Sequence, residues 1–293
     1  MTAQHSDPVI RWSIGDVAVT RIVEREVPVR IDSLIPAATP QALARHRHWL
    51  APHFIDEAGT HCRLSIHALA IEADGVRIIV DTCIGEHQAA GMDVLEVPTQ
   101  PFLQQLADRG FARESVDVVL CTHLHFDHVG WNTMRVGGRW LPTFPNARYL
   151  FSRREWEHWR DSPERETWTL SEETIAPLFE ANLAQLVDMD HRITPQVRLL
   201  PTPGHTPGHV SVLIESRGER ALITGDMTHH PVQWAEPDWG TVADVDAAGA
   251  AATRRDLIDH HAHSGDLLVI GTHYPSPCAG YLTRADQYAV LRT

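Results

Sequence analysis

The sequence predicts an α/β fold, with two β-sheets and helices packed on the outside. Short apolar runs typical of buried strands alternate along the chain with segments whose apolar residues recur at helical spacing. No internal repeat and no low-complexity linker divides the 293 residues, of which 43% are hydrophobic. That composition supplies enough apolar material for a large core. We therefore expect one domain covering residues 1–293.

The predicted strands are short and mostly apolar. Residues 17–23 alternate apolar and polar side chains, as a strand with one buried face does. Residues 65–71 and 76–80 read as a pair of strands joined by the turn signal Asp74-Gly75. The other predicted strands are residues 118–120, 148–151, 197–200, 221–223 and 267–270.

Five segments have the spacing or composition of helices. Residues 98–109 carry apolar side chains at helical spacing and stop at Gly110, a common helix end. Residues 171–187 are amphipathic with an acidic first turn, which suits a helix N-terminus. The other predicted helices are residues 42–49 (a short helix or lid segment), 153–160 (Trp-rich) and 242–263 (long and Ala-rich).

Composition and charge exclude several classes of function. No stretch approaches the roughly 18 apolar residues of a membrane helix, and residues 1–12 lack the apolar core of a secretory signal. We therefore expect a cytoplasmic protein without a membrane partner. The formal net charge is −13 and no basic stripe is present, which argues against a nucleic-acid partner and favours a neutral small molecule. The four cysteines are scattered, which argues against a disulfide framework or a zinc knuckle.

The densest chemical signal lies between Thr122 and Gly130. This stretch reads THLHFDHVG and packs three histidines and one aspartate into six positions: His123, His125, Asp127 and His128. A buried histidine is costly unless its ring nitrogens have partners, so a fold needing only bulk would use apolar residues here. Imidazole and carboxylate together suit zinc or a similar first-row divalent ion. A metal site explains the stretch better than a solvated polar loop does.

Three more strand ends carry side chains that can bind a metal. His205 follows the strand at 197–200, Asp226 follows 221–223, and His273 follows 267–270. Sites in α/β folds lie at the carboxyl ends of the strands, so these side chains should meet there.

With these motifs in place, the chain resembles the metallo-β-lactamase superfamily. Its signature is His-x-His-x-Asp-His followed by a distant histidine, a bridging aspartate and a last histidine, and the match runs from Asp81 to His273. The resemblance implies an αββα sandwich of two mixed β-sheets, with helices on the outer faces and a dinuclear metal site at one edge.

The resemblance also implies a role for each ligand. The ligands of the first ion would be His123, His125 and His205. The ligands of the second ion would be Asp127, His128 and His273. Asp226 would bridge the two ions together with a water or hydroxide. Asp81 would support the ligands without binding metal. We expect two divalent ions per chain, zinc first, with iron, cobalt or manganese as alternatives.

Two features place the chain within that superfamily. The extra material lies before Asp81, in an N-terminal extension of about residues 1–60, and only residues 274–293 follow His273. A glyoxalase-II-like enzyme carries a helical domain after its last ligand. The lactonase and organophosphate-hydrolase branch instead has N-terminal segments that wall the pocket or form a dimer contact, so a homodimer is one expected assembly.

Ligand identity separates hydrolases from their relatives. Flavodiiron-type proteins have glutamate where this chain keeps His125, and many true β-lactamases have a cysteine ligand where it has Asp226. Both differences indicate a dinuclear hydrolase.

Several side chains beside the ligands have competing interpretations. Homoserine-lactone lactonases carry a tyrosine three residues after the bridging aspartate, whereas this chain has His229, as methyl parathion hydrolase does. We predict His229 to be a catalytic donor or proton shuttle, with a structural role as the alternative. His209 and His230 read as structural. Three tryptophans near ligand segments predict a hydrophobic pocket, with core packing as the alternative: Trp131, Trp234 and Trp239.

The sequence therefore predicts a metal-dependent hydrolase of small neutral substrates, a lactonase or esterase. Asp127 would orient the attacking hydroxide and pass its proton to the leaving alkoxide. The first alternative is a phosphotriester (organophosphate) hydrolase. Less favoured alternatives are a non-catalytic metal-binding or sensor protein and a thiol-handling dioxygenase with one iron.

Overall fold

The computed structural model describes residues 10–86, 101–285 and 288–292. The strands in chain order are β1 (Arg11–Ile14), β2 (Val17–Arg30), β3 (His61–Ala73), β4 (Val76–Val80), β5 (Val118–Leu120), β6 (Thr133–Val136), β7 (Arg139–Pro142), β8 (Arg148–Ser152), β9 (Ala184–Val187), β10 (Val197–Pro201), β11 (Val210–Ser216), β12 (Glu219–Ile223), β13 (Leu267–Ile270), β14 (Ala279–Ala285) and β15 (Tyr288–Arg292). The helices are α1 (Ile31–Leu34), α2 (Pro40–Leu43), α3 (Arg47–Leu50), α4 (Phe102–Asp108), α5 (Phe126–Val129), α6 (Arg153–Arg160), α7 (Arg165–Trp168), α8 (Ser171–Thr174), α9 (Ala176–Glu180), α10 (Val232–Ala235) and α11 (Ala247–His261).

Two mixed sheets form the centre of the molecule. The first has the strand order β1-β2-β3-β4-β5-β8-β9 and the second β10-β11-β12-β13-β14-β15, while β6 and β7 form a separate hairpin. Strands β4, β5, β8 and β9 run parallel in the first sheet, and β12 and β13 run parallel in the second. The predicted α/β class and the two mixed sheets are confirmed.

The alternation of side chains along the strands produces the layers. In β5, Val118 and Leu120 pack into the cluster between the two sheets, whereas Val119 packs into the cluster under α4 and α6. In β12, Ile223 faces the other sheet and Leu222 faces α10 and α11. Since successive side chains of a strand point to opposite faces, each sheet buries both faces. Helices on the two outer faces complete the αββα sandwich.

The helix predicted over residues 171–187 is wrong. The segment forms α8, α9 and strand β9. Pro177 has no backbone N–H and sits in the first turn of α9, so α8 cannot continue through it. Asn182 has a positive φ of 57° and ends the helical region. Residues Ala184–Val187 then pair with β8.

Three other helix predictions need new boundaries. The segment 242–263 is helical only from Ala247, because the backbone N–H groups of Val245 and Asp246 donate to the loop that carries His205. The segment 42–49 divides between α2 and α3. Of the segment 98–109, α4 covers Phe102–Asp108, and residues 98–100 lie outside the described residues.

The N-terminal segment divides into two parts, and residues 1–9 of it lie outside the described residues. Residues 11–30 form strands β1 and β2 of the first sheet. Helices α1 to α3 pack against the outer face of the second sheet, through Ile31, Leu43 and Leu50. Within the described ranges, no helix has the length and apolarity needed to cross a membrane.

Candidate metal centre

Parallel strand ends bring the predicted ligands to one edge of the sandwich. The loop after β5 carries His123 and His125, and α5 follows with Asp127 and His128. The loops after β10, β12 and β13 supply the other three: His205, Asp226 and His273. All seven predicted residues meet there, although the first and the last are 150 positions apart in the sequence.

The cluster has two halves, which we call the first half and the second half and define by their donor residues. In the first half, the donor atoms of His123, His125, His205 and Asp226 lie within 4.8 Å of one another. In the second half the same holds for Asp127, His128 and His273. These are the two groups that the sequence predicted.

Asp226 lies between the halves and directs one oxygen to each. Its Oδ2 is 3.6 Å from His123 Nε2 and 3.5 Å from His205 Nε2. Its Oδ1 is 3.3 Å from His128 Nε2 and 3.0 Å from His273 Nε2. A carboxylate in this position can bridge two cations.

The donor set fits metal ions better than it fits a closed hydrogen-bond network. His123 Nε2 is buried and has no hydrogen-bond partner among the residues that the structure describes. His205 Nε2 faces His125 Nδ1 at 3.0 Å, and His273 Nε2 faces His128 Nε2 at 3.2 Å. Ring nitrogens that converge in this way need a proton or a cation between them, because two lone pairs would repel.

Hydrogen bonds behind the ligands fix which ring nitrogen faces the centre. His128 Nδ1 lies 2.9 Å from Asp81 Oδ2, and Thr122 also donates to Asp81 through its N–H and hydroxyl. His205 Nδ1 lies 3.0 Å from Asp244 Oδ1. His273 Nδ1 donates to the carbonyl of Ser65 at 3.0 Å. Each contact leaves the Nε2 lone pair directed at the centre, as partners of metal-binding histidines do.

Asp244 is a supporting residue that sequence reasoning missed. Its carboxylate also accepts bonds from the N–H and hydroxyl of Thr241. Burial opposes its charge, but the hydrogen bond from His205 and the charges of His205 and His229 lower the pKa of Asp244 to about 2. The residue lies in a segment that was predicted to be helical, so its sequence position gave no signal.

The halves differ in their electrostatics. Burial, followed by the neighbouring imidazoles, lowers the pKa values of His123 and His125 well below the usual value. Burial also disfavours charge on His128, but Asp226, Asp127 and Asp81 together raise its pKa well above the usual value. His273 has a pKa raised by Asp226 and Asp127 against the same effect of burial. His123 and His125 are therefore neutral imidazoles, whereas carboxylates favour the charged form of the histidines in the second half.

His229 points into the centre. Its side chain is 6% exposed, its Nε2 is 3.0 Å from Asp226 Oδ2, and its ring stacks on His273 with an angle of 14°. Its Nδ1 is buried without a hydrogen-bond partner among the described residues. The nitrogen of His229 that faces the centre is therefore Nε2.

His209 supports the backbone of the ligand Asp226, whereas His230 makes structural contacts away from the ligands. His209 Nε2 accepts the backbone N–H of Asp226 at 2.8 Å, and its Nδ1 donates to the carbonyl of Thr202. Burial lowers the pKa of His209 to about 3, so the ring is neutral. His230 accepts the N–H of Val232 and donates to the carbonyl of Phe54.

The three tryptophans have different surroundings, and Trp234 follows the alternative of core packing. Trp234 is fully buried and donates to the hydroxyl of Tyr274, so it belongs to the core. Trp131 stacks on Phe102, and Trp239 lies against His46. Two other tryptophans lie beside His125: Trp159 and Trp168, with ring centroids at 5.4 and 5.0 Å.

Known proteins resemble this chain in sequence over the region that carries the site. The sequence profile described as the Metallo-beta-lactamase superfamily matches residues 63–273. An N-acyl homoserine lactonase from Bacillus sp. is 33% identical over 121 residues, which cover 41% of this chain and 42% of that protein. The chain thus spans less than half the length of the first curated relatives it matches. The N-acyl homoserine lactonase AttM of Agrobacterium fabrum is 28% identical over 65% of this chain and 70% of its own.

Solved structures share the fold over almost the whole chain. A dizinc quorum-quenching lactonase, AidC, in complex with a product, superposes with a TM-score of 0.78 at 19% identity, covering 97% of this chain and 96% of its own. AbOPH, a hydrolase in the beta lactamase superfamily, gives the same TM-score and coverages at 24% identity.

Proposed function

The chain belongs to the metallo-beta-lactamase superfamily, and we propose that it is a dinuclear metal-dependent hydrolase that opens lactones or cleaves related small esters. The observation that carries the proposal is the two-part donor cluster, in which Asp226 directs one oxygen to each half. The lactonase relatives support a lactone as the substrate.

The seven clustered residues would hold two divalent ions. Zinc is the first choice because imidazole and carboxylate donors suit it, and iron, cobalt and manganese are the alternatives. Bound there, such ions lower the pKa of a water towards neutrality and polarise a carbonyl oxygen. The ligands are His123, His125 and His205 in the first half, Asp127, His128 and His273 in the second, and Asp226 between them.

Asp127 and His229 would handle protons. The Asp127 side chain is 16% exposed, whereas His123, His205 and His128 are at most 1% exposed. It can therefore contact both the centre and a substrate, orient the nucleophile and carry its proton to the leaving alkoxide. His229 can donate a hydrogen bond to the substrate oxygen or exchange a proton with it, since one nitrogen of its ring has no partner.

A phosphotriester is the second candidate substrate, and the histidine at position 229 favours it. Phosphoryl and carbonyl oxygens are polarised by the same arrangement of cations. The net charge of −13 favours an uncharged substrate in either case. The homodimer and the cytoplasmic location stay predictions.

The test is a substrate panel. Protein reconstituted with zinc is assayed on acyl-homoserine lactones, aryl esters and phosphotriesters, beside the chelator-treated protein and the Asp226→Ala variant. We expect the highest kcat/KM on lactones, with loss of activity in both controls. Higher kcat/KM on phosphotriesters would select the second candidate. A fully metal-loaded protein inactive on all three classes would overturn the hydrolase and leave a non-catalytic metal protein.

A further inference from the structure

We propose that Glu155 is a positioning residue for the first half of the metal centre. Its buried carboxylate connects the two loops that supply His123, His125 and His205. The inference rests on the proposed metal centre and adds a residue on α6 that none of the motifs contains.

The side chain of Glu155 forms hydrogen bonds with both loops. Glu155 is 1% exposed. Its Oε1 accepts the N–H of Leu124 at 3.2 Å, and Leu124 stands between the ligands His123 and His125. Its Oε2 accepts the N–H of Gly208 at 3.0 Å, in the loop that carries His205. One carboxylate therefore sets the distance between the two loops.

Gly208 shows how closely helix and loop approach. A Cβ atom at position 208 would collide with the backbone N and Cα of Glu155. Only glycine fits there, so the first turn of α6 sits directly on the ligand loop. A third donor comes from the same helix, because Trp159 Nε1 donates to Glu155 Oε1 at 2.8 Å, and the Trp159 ring lies beside His125.

The chemistry of the contacts requires a carboxylate. All three partners are N–H donors, and an ionised carboxylate offers acceptors on both oxygens. A glutamine of nearly the same volume has one oxygen and one NH₂ group. Its NH₂ would face an N–H donor in one of the two loops, leaving that buried N–H unpaired.

A second buried glutamate provides a matched control at the other half. Glu24 lies at a β-bulge of β2 and accepts the N–H groups of Ile84 and Gly85 at 3.1 and 3.0 Å, and Trp131 Nε1 at 2.7 Å. The backbone of the neighbouring Thr82 donates to the carbonyl of His128, a ligand of the second half. Glu24 thus makes the same three kinds of contact, but on the side of the second half.

The experiment isolates each half. In the His273→Ala background only the first half keeps all its histidines, and in the His205→Ala background only the second half does. Zinc affinity is measured by competition with a chromophoric chelator in both backgrounds, with and without Glu155→Gln. We expect Glu155→Gln to weaken binding about 10- to 100-fold in the His273→Ala background, the usual effect of residues behind metal ligands. It should leave the His205→Ala background unchanged, and Glu24→Gln should leave the His273→Ala background unchanged.

A second readout does not depend on metal. Hydrogen exchange at the amides of Leu124 and Gly208 is measured in the metal-free parent and in the metal-free Glu155→Gln variant, and the two rates are compared. We expect faster exchange at these amides but unchanged exchange in β12 and β13. Trp159→Phe removes the third donor and spares both loops, so it should bind zinc like the parent.

Each failure has a distinct meaning. Unchanged zinc affinity in the His273→Ala background would overturn the role of Glu155, as would an equal loss in both backgrounds, which marks a general structural effect. If Glu155→Gln does not fold, Glu155→Asp is tested in its place, because the shorter side chain cannot reach both loops. Unchanged zinc affinity in the His273→Ala background, or an equal loss in both backgrounds, would again overturn the role of Glu155. Absence of zinc binding by the parent would instead contradict the metal centre itself.

Discussion

The two halves of the metal centre differ in chemistry although they share Asp226. The first half consists of three buried imidazoles, with His123 and His205 fully buried. The second half combines two imidazoles with the carboxylate of Asp127, which reaches solvent. We infer that the first half mainly holds its ion in place, while the second half contacts the substrate through Asp127.

The residues that support the two halves come from different parts of the fold. His205 is oriented by Asp244 from a loop before α11, and His128 by Asp81 from the end of β4. The two supports come from separate parts of the chain, so a mutation in one should affect one half. The following predictions test that separation, beginning with the residue that both halves share.

Asp226→Ala should have the largest effect. It removes the oxygens that face both halves, so we expect the metal content to fall from two ions to one at most. The rate of hydrolysis should fall by about 1000-fold or more, corresponding to ~4 kcal/mol. Metal analysis and single-substrate kinetics check this. Retention of two ions and full activity would show that Asp226 is not the bridge.

Asp127→Asn should affect turnover more than substrate affinity. The variant keeps the size of the side chain but cannot take up a proton as a carboxylate does. A role in orienting the nucleophile and moving a proton predicts a kcat lower by about 100- to 10,000-fold, with KM little changed. A raised KM with normal kcat would make Asp127 a substrate-binding residue instead.

Asp244→Asn and Asp81→Asn should separate the halves. Removing the charge behind a ligating histidine typically costs about 10- to 100-fold in metal affinity. We expect Asp244→Asn to weaken the first half only and Asp81→Asn the second half only, measured by zinc competition in the single-half backgrounds. Equal losses in both halves for either variant would contradict independent support.

The smallest expected effect belongs to His229, which contacts the oxygen of Asp226 that faces the first half. His229→Ala should lower kcat/KM roughly tenfold, equal to one hydrogen bond of about 1.4 kcal/mol, with metal content unchanged. His229→Tyr should shift preference towards acyl-homoserine lactones. Kinetics identical to the parent across lactones and phosphotriesters would assign His229 a structural role.

The seven clustered residues could be predicted because their signal is local. Strand ends and the His-x-His-x-Asp-His spacing are visible in short windows of sequence, and the edge of an α/β fold brings such windows together. Asp244 and Glu155 could not be found in this way. Each acts through contacts with residues 30 or more positions away, and neither belongs to a motif.

The wrong helix prediction and the unexpected surroundings of Trp234 have a similar origin. The sequence of residues 184–187, Ala-Gln-Leu-Val, suits a helix or a strand, and pairing with β8 makes it a strand. Trp234 lies near the ligands in sequence, but the hydroxyl of Tyr274 and the surrounding core hold it away from any pocket. Tertiary partners, which a single sequence does not reveal, determined both outcomes.

The central claim is that seven residues hold two metal ions in two separable halves. Elemental analysis of the metal-replete parent, compared with His205→Ala and His273→Ala, tests it most directly. We expect two ions per chain in the parent and one in each variant, with the ion retained in the half whose histidines are intact. A parent that binds at most one ion per chain, or variants that both still bind two, would contradict the claim.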